Sequence, residues 1–301
     1  MTFRQAVYLA RPHTLPASIA PIVVALILAG FHTHLNILTA ILTLAVGVGA
    51  QVVSNIANDL FDFKKGADGK KRQGFERPIS SGKLSYSEVK AFLFVTVGFT
   101  SLTGLVLVAL TSPWLLLVGL AVIAGAIAYT GGPYPLAYHG LGEVMVFLFY
   151  GLIAGCITYF IQCQTLTWEA VTLASSMGLA SCNILIVNNY RDIEEDTTSG
   201  KRTIFVRFGK QLAPKLYMSN LLLSILLLFP FYSIIGMLSS GIYLAQMMYV
   251  QRVMARTEGE QLNNVLVQTA RGVVFLALNV AFVLIIHYAI SPHWGELHHH
   301  H

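Results

Sequence analysis

Nine stretches of this chain are apolar over roughly the 20 residues that a helix needs to cross a bilayer's hydrocarbon core. They are residues 14–31, 37–58, 86–110, 113–130, 137–161, 168–189, 212–230, 232–250 and 266–289 of 301. Charge is correspondingly scarce: Asp, Glu, Lys and Arg make up 11% of the chain, where a soluble domain carries about 25%. The expectation is an all-α integral membrane protein with nine transmembrane helices.

The basic residues orient it. With a cytoplasmic N-terminus, the inner connections are 1–13, 59–85, 131–136, 190–211 and 251–265. All 19 Lys and Arg then fall on the inner side or just inside its helix ends, as the positive-inside rule requires. Trp114, Trp168 and Trp294 sit at outer ends, where indoles favour the interface. Nine spans place the C-terminus outside. The net charge of +5 is then a topology signal with some attraction to anionic lipid, and gives no support to nucleic-acid binding. Cys156, Cys163 and Cys182 are odd in number and dispersed in or beside apolar runs, which points to burial and not to disulfides or a metal centre. The first span lacks a small-residue cleavage site and reads as an uncleaved helix. Residues 1–297 form one domain without a linker, and His298–His301 reads as an expression tag.

Charge inside this apolar chain is concentrated in two places. Residues 188–203 read NNYRDIEEDTTSGKRT, with Asp192, Glu194, Glu195 and Asp196 at the end of an apolar run. Carboxylates at a helix C-terminus are disfavoured by a few tenths to ~1 kcal/mol each, and clustering raises their pKa values, so positive partners are expected nearby. The second apolar run ends similarly, in NIANDLFDFKKGADGKKR from Asn55 to Arg72. Asn188 and Asp192 follow Asn55 and Asp59 by 133 residues, and Asp62 is matched by Glu195 or Asp196. Four spans separate the copies, so both acidic ends face the cytoplasm, and parallel repeats commonly enclose a site between them.

Asn55, Asp59 and Asp62 share about 60° of helical arc. Asn58 borders that face, and Asp68 follows in the loop. Asn188, Asp192, Glu195 and Asp196 share a face likewise. Oxygen ligands on two helix ends suit a hard cation, chiefly Mg²⁺, which keeps waters and substrate phosphates in its shell. The plainer alternative is a solvated acidic loop. The flanking cations extend the metal reading. Lys64, Lys65, Lys70, Lys71, Arg72 and Arg77 follow the first cluster, and Arg191, Lys201, Arg202 and Arg207 surround the second. Carboxylates hold Mg²⁺, Mg²⁺ holds phosphate, and Lys or Arg hold the remaining phosphate oxygens. Any one of these cations could instead serve topology alone; Arg191, Lys201 and Arg202 have the better spacing.

NDLFD and NNYRDIEED…GKRT together resemble the two aspartate-rich motifs of the UbiA-type intramembrane aromatic prenyltransferases, over nearly the whole chain. The resemblance implies a nine-helix bundle around a central cavity, with Mg²⁺ on both motifs holding an isoprenoid diphosphate and the prenyl chain in an apolar tunnel. ARPHTLPASIAP, YTGGPYPLAYHGLGE (Tyr129 to Glu143) and the second motif look like the branch that prenylates 1,4-dihydroxy-2-naphthoate in menaquinone synthesis. The hydroxybenzoate branch usually has a Lys in the loop after span four. Here that loop offers Tyr134, Tyr138 and His139 instead, as contacts to diphosphate or acceptor or as interfacial anchors. Glu143 either has a functional role or snorkels. Arg11 and His13 read as interface markers, with Arg11 alternatively reaching a substrate carboxylate. Asn183 and Asn279 read as helix–helix hydrogen-bonding residues, and Gly131-Gly132-Pro133 as a turn.

On this reading Asp59, Asp62, Asp192 and Asp196 are catalytic and metal-binding, joined at the metal by Asp68 and Asn188. Asn55, Asn58, Asn188, Arg191, Lys201, Arg202, Tyr134, Tyr138 and His139 bind substrate. The implied partners are a polyprenyl diphosphate, 1,4-dihydroxy-2-naphthoate and membrane lipid, with the site facing the cytoplasm from the inner membrane. 4-Hydroxybenzoate is the alternative acceptor. A transporter is the different-class alternative, but transporter sites lie near the midplane at broken helices, whereas these acids cluster at helix ends.

Overall fold

The computed structural model describes residues 2–66 and 73–290, so Asp68, Lys70, Lys71, Arg72, Trp294 and the terminal His run lie outside the described residues. Those described are helical and contain no strand. The helices are α1 (Phe3–Ala10), α2 (Pro16–His32), α3 (Ile37–Lys64), α4 (Tyr86–Leu110), α5 (Leu115–Ala128), α6 (Gly142–Cys163) and α7 (Trp168–Arg191), then two short ones, α8 (Ile193–Thr198) and α9 (Ile204–Phe208), and finally α10 (Leu212–Leu226), α11 (Ile234–Arg256) and α12 (Leu262–Ile290). Every apolar stretch read from the sequence falls on one of the longer helices. Among the described residues, six helical runs are long and apolar enough to cross a membrane, or seven if the N-terminal pair, bent by 63° at the break before Pro16, counts as one span. α5 has only 14 residues, and α11 is long enough but less apolar.

Helix starts follow local chemistry. Asn36 caps α3 by accepting from the Thr39 N–H, Ser85 and Glu88 form a reciprocal capping box on α4, and Thr167 and Ser233 cap α7 and α11. The expected N-terminal connection 1–13 is itself structured: α1 is capped by Thr2 and Gln5, and the chain turns at Arg11, which has a left-handed φ of 49°.

Helices meet where side chains are small. On α6, Gly151 and Gly155 lie one turn apart and face Ala174 and Gly178 of α7. A Cβ on Gly151 would stand 2.7 Å from the Gly178 Cα, and one on Gly155 would stand 2.6 Å from the Ala174 Cβ. Close backbone approach of this kind supplies the packing that lipid, as apolar as the side chains, cannot drive. Over Phe147–Ile157, α6 widens to a π-helix, a form concentrated at functional sites.

The main core unites α2, α7, α10, α11 and α12 through Val24, Leu28, Met177, Ile186, Tyr217, Met254 and Leu276, all essentially inaccessible. Inside it Asn220 donates to the Asn183 side chain and Asn183 to the Tyr217 carbonyl, while Asn279 donates to Ser240. Both asparagines thus act as the helix-bridging groups expected. The three cysteines are free and buried or half-buried. A smaller cluster of Leu9, Ile56, Leu60, Ile79, Leu84 and Val89 clamps α1 and the segment after residue 73 against the last turns of α3. That clamp fixes the helix end carrying Asp59 and Asp62.

Candidate active site

Four buried carboxylates meet four cations at one end of the bundle. Asp59, 1% exposed, is paired with Arg11, and Arg77 Nε lies 3.4 Å from the same oxygen. Arg77 Nη1 donates to Asp62 Oδ2 at 2.8 Å and to the Asn58 carbonyl at 3.2 Å. On α7, Arg191 grips Asp192 with Nε and Nη2 at 2.6 and 2.8 Å, and reaches the Asn188 side chain at 2.9 Å and Asn263 of α12 at 2.7 Å. Lys201 lies 3.2 Å from Asp196. Buried charges are tolerated only when partnered in this way.

The backbone explains why so many acids end one apolar run. Only Asp192 belongs to the C-terminus of α7. The chain breaks there and restarts as α8, whose first turn carries Glu194, Glu195 and Asp196, so the helix dipole favours them. The restart also decides which acid matches Asp62. Asp196 is buried and paired with Lys201, whereas Glu195 accepts from the Gln73 N–H at 2.7 Å.

Electrostatics joins the two motifs. Burial holds the Asp196 carboxyl up at about 6, with Asp192 and Asp62 adding to the shift and Lys201 opposing it. Burial alone would depress the Lys201 ammonium, but Asp196, Asp62 and Asp192 together hold it above its ordinary value. One lysine therefore senses carboxylates from both helix ends.

The loop between α5 and α6 ties these ends together. Tyr138 donates its hydroxyl to Asp62 at 2.8 Å, and its carbonyl accepts from the Arg202 N–H at 3.0 Å. Burial and then Asp62 push the Tyr138 phenol up, so it stays a donor. Lys65 holds the loop from beneath, 2.6 Å from the Thr130 carbonyl and 4.1 Å from the Tyr138 ring centroid. Thr130 donates to the Asn58 side chain at 2.8 Å. Gly140 has a φ of +77°, and a Cβ there would stand 3.1 Å from the Arg202 carbonyl; glycine permits both the turn and the approach.

Between the motifs lies a cavity of about 190 Å³ whose walls include Asn55, Asn58, Asp62, Asn188, Arg191 and Lys201, with Arg11, His13 and Arg77. Ala50, Val122, Phe149 and Tyr150 also line a second cavity, of about 320 Å³ and almost wholly apolar walls, between α2, α3, α4, α5 and α6. Phe149, Tyr150, Ile153 and Ala154 come from the π-helical part of α6. The polar chamber thus shares a wall with an apolar one.

Of the residues singled out from sequence, Asp62, Asn55, Asn58, Asn188, Arg191 and Lys201 line this cavity, while Asp59, Asp192 and Asp196 do not line it and are paired with the lining cations Arg11, Arg191 and Lys201. Tyr138 joins through Asp62. Arg202 contributes only its backbone, its side chain being exposed. Tyr134 is exposed and stacks on His139 at 3.6 Å between ring centroids, and His139 bonds the Pro135 carbonyl, so this pair shapes the loop and does not line the cavity. Asp68 lies outside the described residues. Arg11 and His13, read as interface markers, instead line the cavity, and His13 packs on Phe75 at 4.2 Å. Glu143 does not snorkel; one oxygen accepts from Asn189 at 3.0 Å and the other is buried without a partner. Arg77 takes a larger part than its place among flanking cations suggested.

The donor set fits magnesium. Asp59 and Asp196 each keep one buried carboxylate oxygen without a hydrogen-bond partner, a costly arrangement that a cation relieves. No three acids, histidines or cysteines converge into a metal cage among the described residues. Mg²⁺ needs none, since it is commonly held by one or two carboxylates together with substrate phosphates.

Comparison with known proteins assigns the lineage. The model of the UbiA prenyltransferase family matches residues 18–279. The chain belongs to that family. It is 35% identical over 289 residues to the 1,4-dihydroxy-2-naphthoate octaprenyltransferase of Escherichia coli (strain K12), covering 91% of this chain and 92% of that one. It is 34% identical over 288 residues to the enzyme of the same name from Mycobacterium leprae (strain TN), covering 94% and 97%. The fold matches a UbiA homologue from Archaeoglobus fulgidus bound to DMAPP and Mg²⁺, with a TM-score of 0.62 at 17% identity over 94% of this chain and 99% of the other. An apo UbiA homologue from Aeropyrum pernix K1 gives 0.67 at 16% identity over 91% and 97%.

Proposed function

We propose that this UbiA-family protein transfers a polyprenyl group from its diphosphate to 1,4-dihydroxy-2-naphthoate with loss of CO₂, the prenylation step of menaquinone synthesis. The observation that carries the reading is the cavity pair: a chamber between two acid–base clusters shares a wall with an apolar one, which suits a substrate with an anionic head and a hydrocarbon tail. Relatives at 34–35% identity over nearly full length, named for that acceptor, support the choice of ring.

The paired charges suggest how the head group binds. A magnesium diphosphate offers a cation to each acid and an anion to each Arg or Lys, so it enters the cluster by exchanging partners. Asp59, Asp62, Asp192 and Asp196, with Asn188, would hold Mg²⁺, and Arg11, Arg77, Arg191 and Lys201 would take the phosphate oxygens. Magnesium supplies Lewis-acid neutralisation of the leaving diphosphate. Tyr138 and Asn58 orient the Asp62 end. The allylic C–O bond breaks with its electron pair going to diphosphate, and the apolar chamber keeps water from the resulting cation. The ring carbon that bears the carboxylate attacks, and the bond to that carboxylate breaks, CO₂ leaving and its electron pair restoring aromaticity. Nine spans, a cytoplasmic N-terminus and an inner-membrane site facing the cytoplasm complete the proposal.

The test is a parallel assay of purified protein with a long prenyl diphosphate and carboxyl-labelled acceptors. With naphthoate and Mg²⁺, label should leave as CO₂ and a prenylated naphthoquinol should form. EDTA should stop turnover and Mg²⁺ restore it. Label retained in a prenylated 4-hydroxybenzoate, with naphthoate untouched, would transfer the protein to the other quinone branch; full activity after exhaustive chelation would end the metal reading.

A further inference from the structure

Deeper in the polar cavity, one turn inward from Asn55, the Gln51 side chain is 6% exposed, and its Oε1 is buried without a hydrogen-bond partner. Its orientation is set by its neighbours. The Ala10 carbonyl can only accept, so Asn55 must point Nδ2 toward it, at 2.9 Å. That leaves Asn55 Oδ1 as an acceptor, and Gln51 Nε2 donates to it at 3.1 Å and to the Thr14 hydroxyl at 3.3 Å. The amide nitrogen is therefore committed, and the carbonyl oxygen is the end left over. Ser181 and Thr100 also carry buried unpartnered hydroxyls, but a hydroxyl can rotate onto a carbonyl of its own helix. The amide of Gln51, held at its nitrogen, cannot.

An unpaired acceptor calls for a donor. Along the helix Gln51 sits about 12 Å from Asp59 at ~1.5 Å per residue, beyond the carboxylates and before the apolar chamber, where Tyr150 places its hydroxyl beside Ser54 and Gln51. Diphosphate oxygens coordinated to metal are acceptors, and a prenyl chain has no polar hydrogen. Of the substrates in the reading above, on which this inference rests, only the aromatic acid brings an O–H. We propose that Gln51 is a specificity residue of the acceptor subsite, its side-chain carbonyl accepting the hydrogen bond of a ring hydroxyl on a hydroxylated aromatic acid. Sites built to bond a substrate hydroxyl reject analogues lacking it, because the buried partner is left unpaired.

The experiment is a cycle between protein and ligand. Inhibition constants of the two monohydroxy-2-naphthoates are compared with the KM of the dihydroxy acceptor, in wild type, Gln51→Leu and Gln51→Glu. In wild type, loss of one of the two hydroxyls should weaken binding by about tenfold or more, the scale of one hydrogen bond. In Gln51→Leu that penalty should shrink to within about twofold, with KM for the diphosphate unchanged. Gln51→Glu keeps an acceptor oxygen and loses the amide N–H, so it should retain the penalty. Equal penalties in wild type and Gln51→Leu overturn the proposal, as does Gln51→Glu behaving like Gln51→Leu, which would assign the residue's effect to its N–H on Asn55 and Thr14. If wild type prenylates a different aromatic acid and no naphthoate, the function reading fails by itself. The same cycle on that acid's hydroxyl then decides Gln51.

Discussion

Asp59, Asp62, Asp192 and Asp196 were legible because their spacing repeats and because acids inside apolar runs need a reason to be there. Their partners were not. Arg11 reaches forward across 48 positions to Asp59, and Arg77 reaches Asp62 from 15 residues on, contacts that no local spacing announces. The choice between Glu195 and Asp196 likewise depended on the chain restarting at Asp192. Two predictions belong at this scale. Asp59→Asn and Asp192→Asn should each cut turnover at least ~100-fold, the scale of one lost electrostatic contact in a preorganised site; near-normal rates in folded protein would reduce that motif to a polar surface. The second concerns pH. The Asp196 carboxyl stands at about 6, raised above its unfolded value, so the folded state holds an extra proton between roughly pH 4 and 6 and the group's contribution to stability falls as pH rises through that window. A metal ligand must shed that proton. Thermal stabilisation by Mg²⁺ alone should therefore need about tenfold more metal at pH 5 than at pH 7, and Asp196→Asn should flatten the dependence. An unchanged Mg²⁺ requirement across that range would remove Asp196 from the metal.

At the scale of elements, hydropathy located the long helices because burial in lipid leaves a run of apolar residues whatever the neighbouring helix is. It could not show how helices meet. Gly151, Gly155 and Gly178 look unremarkable among 25 glycines, yet with Ala174 they set the separation of α6 and α7 and so carry the second motif against the loop that holds Tyr138. The π-helical turn beside them was equally hidden, since its hydrogen-bond register is decided by packing. Gly151→Leu has no room: its Cβ alone would meet backbone of α7 at 2.7 and 3.0 Å. It should cost about 1–3 kcal/mol or more, as overpacking does, and lower both thermal stability in detergent and turnover. Gly241→Ala on α11, where a Cβ meets nothing within 4 Å, should be neutral or slightly stabilising, because alanine suits a helix interior better. Equal melting temperatures for the two variants would show that the α6–α7 contact does not hold the bundle together.

For the whole molecule, the segregation of basic residues predicts nine crossings, and the least secure of them are α5, with 14 residues, and α11, less apolar than its neighbours. Charge placement argues that both cross. If α11 lay outside the membrane, the connection between α11 and α12 would share a side with the one between α6 and α7, because only two spans would separate them. With α11 crossing, three spans intervene and the two connections face opposite sides. Leu166, exposed between α6 and α7, and Glu260, exposed just before α12, mark them. In protein whose Cys156, Cys163 and Cys182 are replaced by alanine, Leu166→Cys should react with an impermeant maleimide in right-side-out membrane vesicles. Glu260→Cys should react only after permeabilisation. The active-site loops lie with Glu260 in this scheme, so the polar substrate heads arrive from the cytoplasm, where acidic metabolites and Mg²⁺ are held. Labelling of both cysteines from one side would remove α11 from the membrane. Labelling of Glu260→Cys alone would invert the protein and set its acidic helix ends outside.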